Sequence, residues 1–444
     1  MLSNAIALAL EALSWMELEG LSEREALYRT SHQLRITNAS SLRLAYSLIF
    51  EVNKRLNLLD EIINTSIVKE NEFHKQPLGV TNFLRIYVYW VLFKNSDIDE
   101  ITNLLESTRS IIGWKELFPF ENFFGNFLKF NLKEFYLHQK GTKSTSLKTG
   151  HPEWYVNYLF KNFGRYEALK ILRKDREIPQ TYIRINSLTR DYEKNKNSIV
   201  NESIKLAKVD GLDFVYRVIN NKPLTRSDSY RKGLFQIQDK SSCFSVLGSD
   251  PRPGYTVLDV CSAPGSKTSF IAQMMENSGV IYSIDNSKRR SLIWQKEMNR
   301  LNVKNAEPII ADAKTNLPVR VEADLVLIDP PCSGTGIFNK TPSMKWQIDL
   351  VNIYRYSNLQ FDIIKNLAEY VKPDGTLAYS TCSITLEENE IVIERFLRSC
   401  PNFKLVDVSP EMGSPGLRGL AKCRRFFPHK HNCSGFFFAK MNRV

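Results

Sequence analysis

The stretch Thr256-Val257-Leu258-Asp259-Val260-Cys261-Ser262-Ala263-Pro264-Gly265-Ser266-Lys267-Thr268 decides the fold. A short aliphatic run, the signature of a strand buried on both faces, gives way to a turn of small residues that opens a helix. Downstream of Tyr255 the same alternation repeats, with candidate strands at 256–260, 280–284, 308–311, 325–328, 376–379, 403–406 and 436–440. Strand–helix alternation predicts an α/β, Rossmann-like domain over residues 246–444, built on a doubly wound parallel sheet. Such sheets place their ligands beyond the carboxyl ends of the strands.

Those strand ends carry acidic residues. Asp285 closes the second candidate strand 20 positions after Gly265, about the interval at which a carboxylate meets ribose hydroxyls in this architecture. Asp312 follows the third strand and Asp329 closes the fourth. Neither G-x-G-x-x-G nor G-x-x-x-x-G-K-[ST] is present, which disfavours a dinucleotide or a triphosphate. S-adenosyl-L-methionine, an adenosine carrying a sulfonium and no phosphate, is the expected cofactor. No metal is expected: Cys423, His429, His431 and Cys433 match no usual structural zinc spacing.

Two cysteines stand at strand ends, Cys332 in Asp329-Pro330-Pro331-Cys332-Ser333-Gly334-Thr335-Gly336 and Cys382 in Ser380-Thr381-Cys382-Ser383. The first motif is similar to the Asp-Pro-Pro-aromatic motif of amino methyltransferases, in which an exocyclic amine attacks the methyl group directly. A cysteine in the aromatic position implies different chemistry. C5 of a pyrimidine is too weak a nucleophile to attack an alkyl sulfonium, whereas a thiolate added at C6 makes C5 enamine-like. Asp329 is suited to stabilise a proton at N3 of cytosine. Lys267 is a candidate cation for lowering a thiol pKa. One thiol is expected to add and the other to assist departure; spacing alone does not order them.

Composition agrees with a polyanionic partner. The 444 residues hold 60 Lys and Arg against 48 Asp and Glu, a formal charge of +12, which favours nucleic acid. Seven cysteines without a disulfide-framework spacing suit a reducing cytosol. Residues 1–16 lack a basic segment and contain Glu11, so no secretory leader is expected. The apolar run 83–93 is too short to span a bilayer and contains Arg85.

Residues 1–139 read as helices only. Ala45, Leu48, Ile49, Val52, Leu56, Leu59 and Ile63 form the stripe of one amphipathic helix, and 83–93 a central buried helix. The phenylalanines of 120–135 are expected in the core. Residues 140–150 are small, polar and basic, the composition of an exposed linker. Residues 151–245 read as a small α+β, RRM-like module, serving as an RNA-binding platform or a structural adaptor. A helix-like segment at 154–172 precedes a strand at 182–186 with Arg184 and Asn186 on one face. A helical stripe from Ile199 to Ala207 and a strand at 214–219 follow.

Ile183-Arg184-Ile185-Asn186, Gln238-Asp239, Asp-Pro-Pro-Cys-Ser-Gly-Thr-Gly, Lys345-Trp346, Ser-Thr-Cys-Ser and Gly435-Phe436-Phe437 together resemble the RsmB/Nop2/Sun (NSUN) family of RNA cytosine-C5 methyltransferases. The first domain looks like the NusB-like domain fused to bacterial RsmB. The resemblance implies that Cys261, Ser262, Ala263, Pro264, Gly265, Ser266 and Lys267 cradle the cofactor, with Asp285 at its ribose, Asp312 near its adenine and Asp329 in the pocket. It also implies Cys382 as nucleophile and Cys332 as the group aiding product release, on RNA in the cytoplasm. Ribosomal RNA is favoured and tRNA remains open. Two departures stand out: serines at 262 and 266 of the cradle, and Ser434 where the family carries Asp. Competing readings are an RNA-binding or ribosome-assembly factor without activity, and an exocyclic-amine methyltransferase that has no need of Cys382.

Overall fold

A computed structural model describes residues 1–67, 73–189, 191–220 and 222–444. The chain divides into two compact units: residues 1–178 with 338–349, and residues 179–337 with 350–444.

The first unit is helical. Leu78–Phe93 is its buried centre, with Val80, Phe83, Leu84, Ile86, Tyr87 and Val88 all withdrawn from solvent. Tyr87 meets Phe123, Phe124 and Phe127 ring to ring, so the clustered phenylalanines are core. Arg85 interrupts the apolar run without breaking the helix because Asp60 accepts from its Nε at 2.6 Å and Nη2 at 2.9 Å, while Glu17 accepts from Nη1 at 2.6 Å. The stripe expected as one helix is two, Ala39–Lys54 and Leu56–Ser66, because Arg55 leaves the helical region at φ −129 ψ 17.

The expected linker is also corrected. Residues 141–149 form the helix Gly141–Thr149, burying Ser146, Leu147 and Thr149, and end on Gly150 in the left-handed region. A side chain at Gly150 would place Cβ 2.3 Å from the Lys54 carbonyl oxygen. The helix read at 154–172 is Glu153–Lys174 and belongs to this first unit. The returning segment 338–349 joins the same unit: Ser343 N donates to Glu23 Oε1 at 2.7 Å and Trp346 Nε1 to the Asn53 carbonyl at 2.7 Å.

The second unit holds two sheets. The smaller is antiparallel, in the order Leu206–Lys208, Val215–Val218, Tyr182–Ile185, Phe235–Ile237. The helical stripe expected through Ala207 stops earlier: the helix is Tyr192–Asn201, and Ala207 lies in a strand. Arg184 is fully buried, its Nε donating to Gln238 Oε1 at 3.1 Å and Nη2 to Ser269 Oγ at 2.8 Å. Asn186 donates to the Gly233 and Leu301 carbonyls, both at 2.9 Å. These two side chains bind the module to helices that flank the larger sheet.

In the larger sheet Val371–Thr381, Ala323–Ile328, Thr256–Val260, Val280–Asp285 and Ala306–Ile310 lie side by side and parallel. The expected all-parallel sheet is corrected at one edge. Phe436–Arg443 runs antiparallel beside Val371–Thr381, and Arg424–Phe426 and Phe403–Leu405 pair antiparallel with it. Such an edge on an otherwise parallel sheet is a common mixed arrangement. Leu258, Val260, Val326, Ile328, Leu377 and Tyr379 pack as the core on one face of the sheet; Val257, Leu325, Leu327 and Ala378 pack on the other.

Candidate active site

Cys261, at φ 61, turns the chain out of Thr256–Val260, and Gly265, at φ 102, starts the helix Ser266–Met274. A Cβ on Gly265 would lie 2.5 Å from Met298 Cε and 2.9 Å from Trp294 Cδ1, so only glycine fits this turn. Asp285 faces the turn, accepting from Ala263 N at 3.2 Å and Ser287 N at 3.0 Å, with Arg290 Nη2 at 3.4 Å. Beside it lies a cavity of about 190 Å³ whose walls include Cys261, Asp285, Asp312, Pro331, Leu359 and Ile363. Apolar walls with carboxylates at Asp285 and Asp312 fit a nucleoside: a flat ring between aliphatic side chains, and hydroxyls or an amine for the acids to accept from. Ser262, Ala263 and Pro264 form the turn behind the cavity, Ser262 N donating to the Ile284 carbonyl at 3.0 Å. The Ser266 hydroxyl accepts from Gln236 Nε2 at 3.3 Å.

At the next strand end, Asp329 accepts from Ser380 Oγ at 2.9 Å and forms an ion pair with Lys267. Lys267, expected beside a thiol, is thus engaged by Asp329. Asp259, buried under the turn, is pushed up to about 6 by burial, against the opposing hydrogen bond from Thr268 Oγ1 at 2.5 Å.

The two thiols meet. Cys332 Sγ and Cys382 Sγ are 3.1 Å apart, both half-buried, on loops that leave adjacent strands. The hydrogen bond to Cys382 and then burial hold the Cys332 thiol well above the usual range, with the Glu388 carboxylate acting in the same direction. The two loops are laced together through the backbone: Gly336 N donates to the Cys382 carbonyl at 2.9 Å and Gly435 N to the Gly336 carbonyl at 2.8 Å. A Cβ at Gly336 would lie 2.2 Å from the Gly435 oxygen and 2.7 Å from that of Cys382, which accounts for the last glycine of the Cys-Ser-Gly-Thr-Gly run.

One residue, Glu388, and one contact, that of Ser434, escaped the sequence reading. Glu388, fully buried, accepts from residues of both cysteine loops. Ser434, the departure near the end, has a partner: its N–H and hydroxyl donate to Asp239 Oδ2 at 3.2 and 2.9 Å. Of the four residues weighed as zinc ligands, the ring of His431 accepts through Nδ1 from Phe427 N at 2.8 Å, and burial lowers its pKa to about 4.

A five-stranded parallel core, a nucleoside-shaped cavity at its carboxyl end and an acidic residue on each flank define a Rossmann-like methyltransferase. Residues 246–442 match the family model described as 16S rRNA methyltransferase RsmB/F. The chain is 31% identical over 301 residues to the probable ribosomal RNA small subunit methyltransferase B of Bacillus subtilis, covering 67% of each chain. It is 31% identical over 312 residues to the 25S rRNA (cytosine-C(5))-methyltransferase nop2 of Schizosaccharomyces pombe, covering 66% of this chain but spanning only about half, 51%, of that relative. A tRNA (cytosine(72)-C(5))-methyltransferase of Pyrococcus horikoshii is 34% identical over 221 residues, covering 50% and 55%. Among solved structures, the crystal structure of PH0851 superposes over 99% of both chains with a TM-score of 0.85 and 25% identity. NSun6 from Pyrococcus horikoshii, solved with the S-adenosylmethionine analogue SFG, covers 66% of this chain and 98% of its own with a TM-score of 0.62 and 26% identity. The chain belongs to the RsmB/Nop2/NSUN family.

Proposed function

We propose that this protein methylates C5 of cytosine in RNA, with S-adenosyl-L-methionine as donor and ribosomal RNA as substrate. The observation that carries the reading is the pair of thiols 3.1 Å apart on two strand-end loops, one of which carries Pro331 into the wall of the nucleoside cavity. Ribosomal RNA is favoured because relatives of both the bacterial and the fungal type are named for it; the archaeal tRNA enzyme keeps tRNA as the second reading. The site belongs to a protein of the reducing cytosol. The helices of residues 1–139 serve as a NusB-like domain, and the antiparallel module, which exposes Lys208 and Arg217, as an RRM-like RNA platform.

The cradle 261–267, Asp285 and Asp312 would hold the adenosine end of the donor, which supplies an electrophilic methyl group when bound. Cys382 attacks C6 as a thiolate, forming a carbon–sulfur bond and making C5 nucleophilic. Asp329, oriented by Ser380 and Lys267, would hold the proton that N3 gains from solvent as the thiolate adds. Cys332, the thiol held high, keeps its proton and donates to Cys382 Sγ; that contact stabilises the thiolate before attack and again on departure. Loss of the C5 proton to solvent then restores the C5–C6 double bond as the carbon–sulfur bond breaks; Cys382 leaves as the thiolate that Cys332 stabilises, and the N3 proton is released.

The test incubates the protein with methyl-labelled S-adenosylmethionine and total RNA, followed by nucleoside analysis. Wild type yields labelled 5-methylcytidine in ribosomal RNA, Cys382→Ser yields none, and Cys332→Ala accumulates a slow-migrating covalent RNA adduct. Label in tRNA alone would overturn the substrate. Cys382→Ser at wild-type activity would sink the covalent mechanism and favour attack by an exocyclic amine, and no label on unmodified RNA would favour the binding-factor reading.

A further inference from the structure

The run Glu387-Glu388-Asn389-Glu390 precedes the helix Glu390–Ser399 and has the composition of a solvated face. Three of its four side chains are instead buried, and two of them, Glu388 and Asn389, contact the cysteine loops. Glu388 is fully buried. Its Oε1 accepts from Ser333 N at 2.7 Å and Gln360 Nε2 at 3.1 Å; its Oε2 accepts from the hydroxyls of Ser333 at 2.5 Å, Ser383 at 2.6 Å and Thr385 at 2.8 Å. Ser333 directly follows Cys332, and Ser383 directly follows Cys382. Asn389 adds a strut on one side, accepting from Thr381 Oγ1 at 2.6 Å and donating to the Ser383 carbonyl at 2.9 Å.

We infer that Glu388 is the positioning residue of the thiol pair: its carboxylate grips the residue after each cysteine and sets the two sulfurs face to face, without itself reaching the RNA. Its role in catalysis rests on the cytosine-C5 reading above, while its role in holding the sulfurs does not. A carboxylate accepts from up to about four directions and donates nothing. Here every contact comes from a donor, so the charge is spread over neutral dipoles and needs no counter-ion that a substrate could disturb. Glutamine at 388 has the same shape, but its NH₂ carries two hydrogens where Oε2 now accepts from the three hydroxyls of Ser333, Ser383 and Thr385, so those hydroxyls would have to turn and at least one link between the two loops would be lost.

The test pairs Glu388→Gln with a milder Ser383→Ala, which removes one donor should the first variant fail to fold. Two readouts are taken. The first is turnover on RNA: kcat is expected to fall about 10- to 100-fold for Glu388→Gln, the scale of ångström misplacement of a reacting group, and about 3- to 10-fold for Ser383→Ala, with KM for S-adenosylmethionine within about twofold of wild type. The second needs no methylation: diamide takes the two thiol hydrogens, is reduced to its hydrazine and leaves a Cys332–Cys382 disulfide, read by intact mass as loss of two alkylatable thiols, with Cys332→Ala as the blank. Wild type should close rapidly and Glu388→Gln at least about tenfold more slowly, as misplaced groups do. Wild-type closure and kcat in a folded Glu388→Gln, with only a lowered melting temperature, would make Glu388 a purely structural residue and overturn the inference. If wild type closes the disulfide but methylates nothing, the functional reading falls while the closure rates still decide Glu388.

Discussion

Glu388 and Asp175 are both carboxylates without solvent access, one in each unit, yet their surroundings are opposite. Glu388 is surrounded by an amide N–H, a carboxamide and three hydroxyls. Asp175 faces His151 Nε2 at 3.4 Å and the field of Lys345, and neither of its oxygens has a hydrogen-bond partner among the described residues. Burial pushes Asp175 up to about 7 and Lys345 down to about 7, and holds His151 well below its usual range. A buried carboxylate met by neutral donors fixes a geometry. One met by titratable groups fixes a fold that pH can alter. The first arrangement sits beneath two thiols that face each other, the second where helices are held together.

Lys345 is the place to strain this contrast hardest. Its Nζ donates to the Gly150 carbonyl at 2.6 Å and the Lys54 carbonyl at 3.2 Å, joining the ends of Gly141–Thr149 and Ala39–Lys54. Lys345→Met leaves two helix-end acceptors without their donor and Asp175 without its neighbouring amine, and should lower stability by about 3–5 kcal/mol in urea unfolding. Adding Asp175→Asn removes the acid that has lost its neighbouring amine and should return about 1–2 kcal/mol, because lost partners in one network are not additive. If the double variant is no more stable than the single one, Asp175 is not the group that Lys345 serves, and the two regions differ less than their partners suggest.

The parallel strands were legible because burial on both faces turns them into near-continuous aliphatic runs: 256–260 was placed to the residue, and 325–328 lies inside Ala323–Ile328. The direction of Phe436–Arg443 was not, since pairing with Val371–Thr381 is a long-range choice that a local run does not encode. Cys332 and Cys382 were legible as strand-end thiols, and only folding shows them 3.1 Å apart. Glu388 was invisible for a physical reason: an acidic run normally marks solvent, and the donors that permit its burial lie as far off as Ser333 and Gln360. Gly141–Thr149 was missed because it buries only two hydroxyl residues and Leu147 and carries no apolar stripe. Lys345-Trp346, quoted as a motif of the catalytic family, spends its polar atoms on the helical unit at Lys54, Gly150 and Asn53.

The finest expected effect concerns pH, and the sign can be worked out group by group. Asp175, raised to about 7, keeps a proton in the folded chain that the unfolded chain loses from its ordinary value of 3.8 upward, so its contribution falls as pH rises towards 7. His151, lowered, acts the other way below its ordinary 6.5, where the unfolded chain gains a proton that the folded one refuses. Over that acidic window the two oppose each other. Above pH 7, of the three groups, Lys345 alone still titrates: folded, it has lost its proton from about 7 upward, while unfolded it holds it to about 10.5. The unfolded state then binds more protons, and stability rises with pH by at most about 1.4 kcal/mol per unit. Urea midpoints of wild type and Lys345→Met between about pH 7 and about pH 10, read as a difference so that other lysines cancel, should widen in favour of wild type as pH rises. A flat difference would mean that Lys345 stays an ammonium paired with Asp175 and would erase the distinction between the two buried acids.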